Sequence, residues 1–496
     1  MSDLNKQKIV DSVPQTGFFG HPKGLLTLFF TEFWERFSYY GMRAILVFYM
    51  YYEVSQGGLG LDQPTALAIM SIYGSLVYMS GIIGGWLADR IFGSSKAIFY
   101  GGIFIMLGHI VLAFPGNLAM FFVSMVLIVL GTGLLKPNVT TVVGDIYSEN
   151  DNRRDAGFSI FYMGINLGGF LAPLIVGKAM DTSFHLGFGI AAVGMFIGLV
   201  VFVVTKKKYL GLAGTTVPNP LTPSEKKKTY TIFGLSAAVI TAFVALGIPM
   251  GFLTFDVFIA LVGVFGILTP TIYFFIMYRS PKTTAVERSR IIAYIPLFIA
   301  SVMFWAIQEQ GATILAVYAD QRANLEFLGF TISPAWFQSL NPLFIILLAP
   351  VFAWVWVKIG DRQPTVPVKF SLGLLFAGLS FLVILVPGYL NGAESLVNPL
   401  WLVLSYFIVV LGELCLSPVG LSATTKLAPA AFSAQTMSLW FLTNAAAQGI
   451  NAQIVKFYTP ATEMVYFGVI GGTAIVLSII LFLFAPKIQG YMKGIK

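Results

Sequence analysis

The chain has 496 residues, of which 57% are hydrophobic and only 10% charged, with a formal net charge of +8. Soluble domains carry about 25% charged residues, so a water-solvated surface is hard to build from this composition, and apolar runs of roughly 17–25 residues point to repeated crossings of a bilayer. The basic residues lie at helix ends rather than in one patch, which argues against nucleic acid as a partner. The three histidines (His21, His109 and His185) are scattered without ligand spacing, so neither a metal site nor a cofactor is expected.

In chain order, the first two dozen residues are polar and lack an apolar core ending in a small-residue cleavage site, so no removable signal is expected. Apolar stretches and their breakers then predict fourteen membrane spans, at 24–53, 66–90, 98–115, 117–143, 154–179, 187–205, 230–249, 254–278, 291–317, 336–358, 367–388, 398–424, 431–455 and 464–486. Phe114-Pro115-Gly116-Asn117 and Pro387-Gly388-Tyr389 read as loops between neighbouring helices. The lone Cys415 lies in an apolar stretch and reads as a small buried hydrophobe.

With the N-terminus placed inside, 24 of the 30 Lys and Arg residues fall on the cytoplasmic side. Lys178, Arg322 and Lys456 fall outside, and Arg36, Arg43 and Lys136 lie within spans. Such asymmetry is what the positive-inside rule describes, and an odd number of spans would scramble it. Both termini are therefore expected in the cytoplasm of a multi-pass protein of the cell membrane. Residues 206–229, framed by Lys206-Lys207-Lys208 and Lys226-Lys227-Lys228, read as a cytoplasmic linker. The expected layout is a six-helix bundle over 1–205, that linker, two further helices with a loop over 230–290, and a second six-helix bundle over 291–496. Asp89-Arg90 after the second span and Asp361-Arg362 at the same place in the last six suggest two related halves.

Seven ionisable side chains fall inside spans: Glu32, Glu35, Arg36, Arg43, Lys136, Glu309 and Glu413. Each would cost about 2.5–3.5 kcal/mol or more at the centre of a lipid-facing helix, so they are expected to face a polar cavity. In the first span Glu32, Glu35, Arg36, Tyr39, Tyr40 and Arg43 recur along one helical face, with Phe33, Trp34, Phe37 and Met42 off it. Four carboxylates against three cations leave one acid without a partner. A cation that changes acid partners as the protein moves would bind and release a proton. Asn166, Asn341 and Ser417 are further polar groups within spans, Tyr39, Tyr40, Tyr78, Trp305 and Trp440 could supply walls, and cations with carboxylates around one cavity suit a zwitterion.

These stretches resemble the proton-dependent oligopeptide transporter family of the major facilitator superfamily. The matching residues are Glu32-Phe33-Trp34-Glu35-Arg36, Gly84 through Asp89-Arg90 to Gly93, Gly133 through Lys136 to Asn138, Phe161 through Asn166 to Gly168, Phe304-Trp305 with Glu309-Gln310, and Gly412-Glu413 with Ser417-Pro418. The resemblance implies an all-α major facilitator fold with two extra helices between two six-helix bundles. It implies a symporter that imports di- and tripeptides with protons, acting as a monomer in the lipid bilayer and not as an enzyme. On that resemblance Glu413, Asn166 and Asn341 would hold the peptide amino group and Arg43 and Lys136 its carboxylate. Gln310, Ser417 and the aromatic residues would shape the site. Glu309 with Arg43, and the Glu32-Glu35-Arg36 group, would couple proton to peptide. Animal members carry a histidine where Gly74 stands, so coupling here must rest on carboxylates. Nitrate-carrying plant relatives lack the first-span acid pair, which favours peptide over the alternative of a proton-coupled carrier for nitrate or a drug-like solute.

Overall fold

The computed structural model describes residues 3–148, 151–247, 249–327, 329–392 and 395–495. Its helices are α1 (Asp3–Asp11), α2 (Gly24–Tyr51), α3 (Gln63–Leu87), α4 (Ser94–Ala113), α5 (Leu118–Asp145), α6 (Arg154–Met180), α7 (Phe184–Tyr209) and α8 (Pro223–Gly247). They continue with α9 (Phe255–Arg279), α10 (Ala285–Gln308), α11 (Ile314–Arg322), α12 (Leu340–Ile359), α13 (Val366–Asn391), α14 (Leu400–Leu427), α15 (Ser433–Ile454) and α16 (Glu463–Tyr491). A two-stranded antiparallel ribbon, β1 (Glu326–Phe327) and β2 (Phe330–Thr331), follows α11.

Among the described residues twelve spans are long and apolar enough to cross a membrane. Two more helices, α2 with 28 residues and α15 with 22, have the length but not the apolarity. Charge lowers it in α2, through Glu32, Glu35, Arg36 and Arg43. Amides lower it in α15, through Gln435, Asn444, Gln448, Asn451 and Gln453. Together these make fourteen segments of membrane-spanning length among the described residues. A hydrocarbon environment satisfies no backbone groups, so polar side chains on a spanning helix must face protein or a wet cavity. The two helices that are too polar for lipid are the ones that point to the site.

Helix α2 packs on α6 and α7, α4 on α5 and α7, and α3 on α5. In the second half α13 packs on α14 and α16, and α10 touches α13, α14, α15 and α16. The halves meet through α3 against α15 and α6 against α12, while α9 lies on α15 and α3. Almost all of α8 is exposed. Hydrogen bonds that join the halves gather at the end where α2 finishes. Tyr51 and Tyr52 donate to Asp320 at 2.5 and 2.7 Å, Gln321 to Gln63 at 2.8 Å, Trp336 to the Leu174 carbonyl at 3.1 Å, and Ser339 to the Phe170 carbonyl at 2.7 Å.

Four local expectations are corrected. The span expected at 291–317 breaks: α10 stops at Gln308, a 3-10 turn covers Glu309–Ala312, and Thr313 at φ −123° and ψ −88° separates it from α11. Side-chain amides make the break tolerable, because Gln310 and Asn451 both donate to the Ala306 carbonyl, at 3.1 and 3.0 Å. Pro387-Gly388-Tyr389 is not a loop but lies inside the last turns of α13, and membrane helices tolerate such an interior proline where neighbouring groups take up the freed carbonyl. The linker is shorter than 206–229, since α7 takes in Lys206–Lys208 and α8 takes in Lys226–Lys228. The polar N-terminal segment contains α1, an element not expected from its composition. The Asp361 side chain lies outside the described residues.

Candidate functional site

Between the halves lies a cavity of about 350 Å³, within the range of small-molecule sites. From α2 it is lined by Glu32, Arg36, Tyr40 and Arg43, at steps of four, four and three residues that keep one helical face toward it. Tyr78 of α3, Lys136 of α5 and Asn166 of α6 complete the first-half wall. The second half contributes Trp305 of α10, Glu309, Asn341 of α12, Glu413 and Ser417 of α14, and Trp440 of α15.

Three expected residues do not line the cavity. Glu35 is fully buried beside it, with one carboxylate oxygen 2.7 Å from Arg36 Nε. Tyr39 turns its ring against Tyr73, at 6.4 Å between centroids, and the Arg36 guanidinium lies 5.7 Å from that ring. Gln310 is buried in the second half, donating to Asn451 at 3.1 Å and accepting from Tyr466 at 2.8 Å. Its place is in the scaffold of the α10 break rather than in the wall, because its amide is used up by that break.

The charges are paired unevenly. Arg36 Nε sits 2.7 Å from both Glu32 and Glu35, so one cation serves two buried carboxylates. Among the described residues no group donates a hydrogen bond to either Glu35 oxygen or to Glu32 Oε2. Arg43 pairs with Glu309, which also accepts from the Tyr78 hydroxyl at 3.0 Å and from Gln448 Nε2 at 2.9 Å. Lys136 has no carboxylate partner among the described residues, and its ammonium rests 4.6 Å from the centre of the Tyr78 ring. Glu413 has no cation partner among them either. It accepts the amides of Gln308 at 2.9 Å and Asn341 at 3.1 Å, both on one oxygen. The cavity thus holds a free cation on one half and a free carboxylate on the other.

Uncharged groups set the shape. Asn166 donates to the Tyr162 carbonyl one turn back at 3.0 Å. Trp440 packs on Gly420, where a Cβ would come within 2.1 Å of the indole, so a side chain there would force that ring away from α14. The Trp305 indole N–H has no acceptor among the described residues. Tyr162, Gln308, Gln338, Tyr406 and Asn444 also line the cavity and were not expected. A signal for some of them exists in the sequence: Trp440, Asn444, Gln448 and Asn451 recur at steps of four, four and three, the same rhythm as the charged face of α2. Amides carry no charge, so a search for buried ions does not flag them.

A model of the POT family matches residues 95–473. An uncharacterized transporter, YclF, of Bacillus subtilis is 62% identical over the full length of both chains. A di-/tripeptide transporter of Lactococcus lactis subsp. cremoris is 47% identical, again over all of both chains. A crystal structure of a peptide transporter POT in complex with sulfate superposes with a TM-score of 0.97 at 74% identity, covering 99% of each chain.

Proposed function

The chain belongs to the POT family, and from that premise we propose that it is a proton-coupled symporter importing di- and tripeptides across the cell membrane by alternating access. The observation that carries the reading is the pair of unpaired charges, Lys136 on one half and Glu413 on the other, facing one cavity. A peptide is a zwitterion whose carboxylate and ammonium would meet those two groups. A pure anion or pure cation would leave one of them bare. Asn341 and Gln308 hold the Glu413 carboxylate in place, and Arg43 stands by to serve the peptide carboxylate once it leaves Glu309.

Proton coupling follows from the same pairings. Arg43 can serve either Glu309 or a substrate carboxylate. A proton taken up by Glu309 releases Arg43 to the substrate, and substrate departure returns Arg43 to the bare acid. Glu32 and Glu35 share Arg36, so a proton on one of them relieves an arrangement of two carboxylates on one cation. The moving parts are α2 to α7 and α10 to α16, with α8 and α9 between them. The hydrogen bonds gathered at the far end of α2 close that side. With the termini in the cytoplasm, as the asymmetry of basic residues supports, the closed side is the outer one. Each copy of the chain would carry a complete cavity, so the proposed transport needs no second subunit.

The test is uptake by purified protein in liposomes, with labelled dialanine outside and an inward proton gradient. Accumulation that a protonophore abolishes is expected, and Glu309→Gln should lose accumulation while keeping exchange. No accumulation by monodisperse protein would overturn the reading, and competition by nitrate or another zwitterion would identify the alternative.

A further inference from the structure

We propose that Gln448 is a positioning residue for the Glu309 carboxylate, holding it from within its own half of the molecule while donors from the other half leave; this rests on the coupling role proposed for Glu309. Three groups donate to that carboxylate. Arg43 and Tyr78 come from α2 and α3, in the first half. Gln448 Nε2 comes from α15, in the second half with Glu309 itself, at 2.9 Å, and the residue is only 2% exposed.

The two kinds of donor have different fates when the carrier opens on its closed side. Helix α15 is tied to the turn carrying Glu309 through Gln310 to Asn451 at 3.1 Å and Asn451 to the Ala306 carbonyl at 3.0 Å. Gln448 therefore moves with Glu309. Arg43 and Tyr78 must withdraw as the halves part. A buried carboxylate stripped of every donor is far costlier than one that keeps a single amide. Gln448 is the donor that remains.

The first half has a matching feature. Gly74 of α3 lies directly over Gln448, and a Cβ there would fall 2.5 Å from Nε2 and 2.9 Å from Cδ. Bare backbone at Gly74 leaves the amide room to reach Glu309 while the halves are closed. A methyl group would press it away.

This assigns Gln448 to one step of the cycle. The empty carrier must reopen outward while Glu309 is ionised, and the retained amide lowers the cost of that opening. Exchange of peptide for peptide cycles only the loaded carrier with Glu309 protonated, so it does not use the step. The experiment compares wild type, Glu309→Gln, Gln448→Met and Gly74→Ala in the same liposomes, measuring proton-driven accumulation of dialanine and dialanine exchange. Gln448→Met keeps length and volume but removes the donor. Its initial rate of accumulation should fall about tenfold or more, as loss of one hydrogen bond to a charge implies, with exchange and the KM for dialanine within about twofold of wild type. Gly74→Ala presses on the amide only while the halves are closed and its methyl withdraws with α3, so accumulation relative to exchange should fall no further than in wild type. Wild-type accumulation by Gln448→Met, equal loss of accumulation and exchange in that variant, or the same selective loss in Gly74→Ala would overturn the proposal. Failure of wild type to accumulate would overturn the transport reading beneath it, and accumulation by Glu309→Gln would overturn the coupling role alone.

Discussion

Glu413 and Lys136 are separated by chain position but alike in circumstance: each lies in a cavity wall, Glu413 buried and Lys136 half-buried, with its charge unmatched by a protein partner among the described residues. Glu413→Gln retains the shape and an oxygen for Asn341 but loses the charge. Removing one partner from a buried hydrogen-bonded charge contact costs about 2–5 kcal/mol, at 1.4 kcal/mol per tenfold. The KM for dialanine is therefore expected to rise about 30-fold or more, while N-acetylated dialanine should barely compete with either protein. Uptake kinetics with both compounds check this, and Lys136→Ala should likewise raise the KM or stop transport. Most of the wall was legible residue by residue, because a charge in an apolar span needs a cavity and the sequence displays every such charge. The pairing was not legible. A count of four acids and three cations predicts one lone acid, whereas the fold places two acids on Arg36 and leaves both Glu413 and Lys136 free. Pairing depends on distances between helices, and composition holds no such distances.

Helices are limited by what their neighbours allow. Gly84 of α3 and Gly133 of α5 let two backbones approach so closely that a Cβ at Gly84 would fall 1.9 Å from the Gly133 carbonyl oxygen. Gly84→Val should therefore force the helices apart, costing at least about 1–3 kcal/mol by overpacking. A lowered melting temperature and reduced monodisperse yield in detergent would show it, and wild-type stability would mean that α3 can shift freely. The same crossing helps place Lys136, three residues beyond Gly133, at the cavity. Spans and their order could be read from apolar runs, since lipid imposes length and apolarity on each helix separately. The break after Gln308 could not. It depends on Gln310 and Asn451 satisfying the Ala306 carbonyl, and Asn451 lies far along the chain in α15.

On the scale of the whole molecule, the halves are held closed at one end by few groups. Asp320 accepts hydroxyls from both Tyr51 and Tyr52, so two hydrogen bonds to one charge span the gap. Each is of the class worth about 1.5–3 kcal/mol, enough to change a two-state population at least tenfold. Asp320→Asn should shift the carrier toward opening on that side. With Cys415→Ser as background and a cysteine placed at Gly169, which faces the cavity, labelling from outside intact vesicles is expected to accelerate several-fold. An unchanged rate would mean that the other contacts at that end suffice to keep it shut.

What the sequence by itself determined is the class of molecule, the number and order of its membrane spans, and the set of costly side chains that must surround something wet. Those properties are local, because hydropathy, length and charge belong to each segment alone. Tertiary structure decided which charges neutralise one another, where α10 breaks, and which uncharged amides of α15 join the site. Those properties belong to pairs of helices, whose separations arise only when glycine contacts and side-chain volumes are packed together.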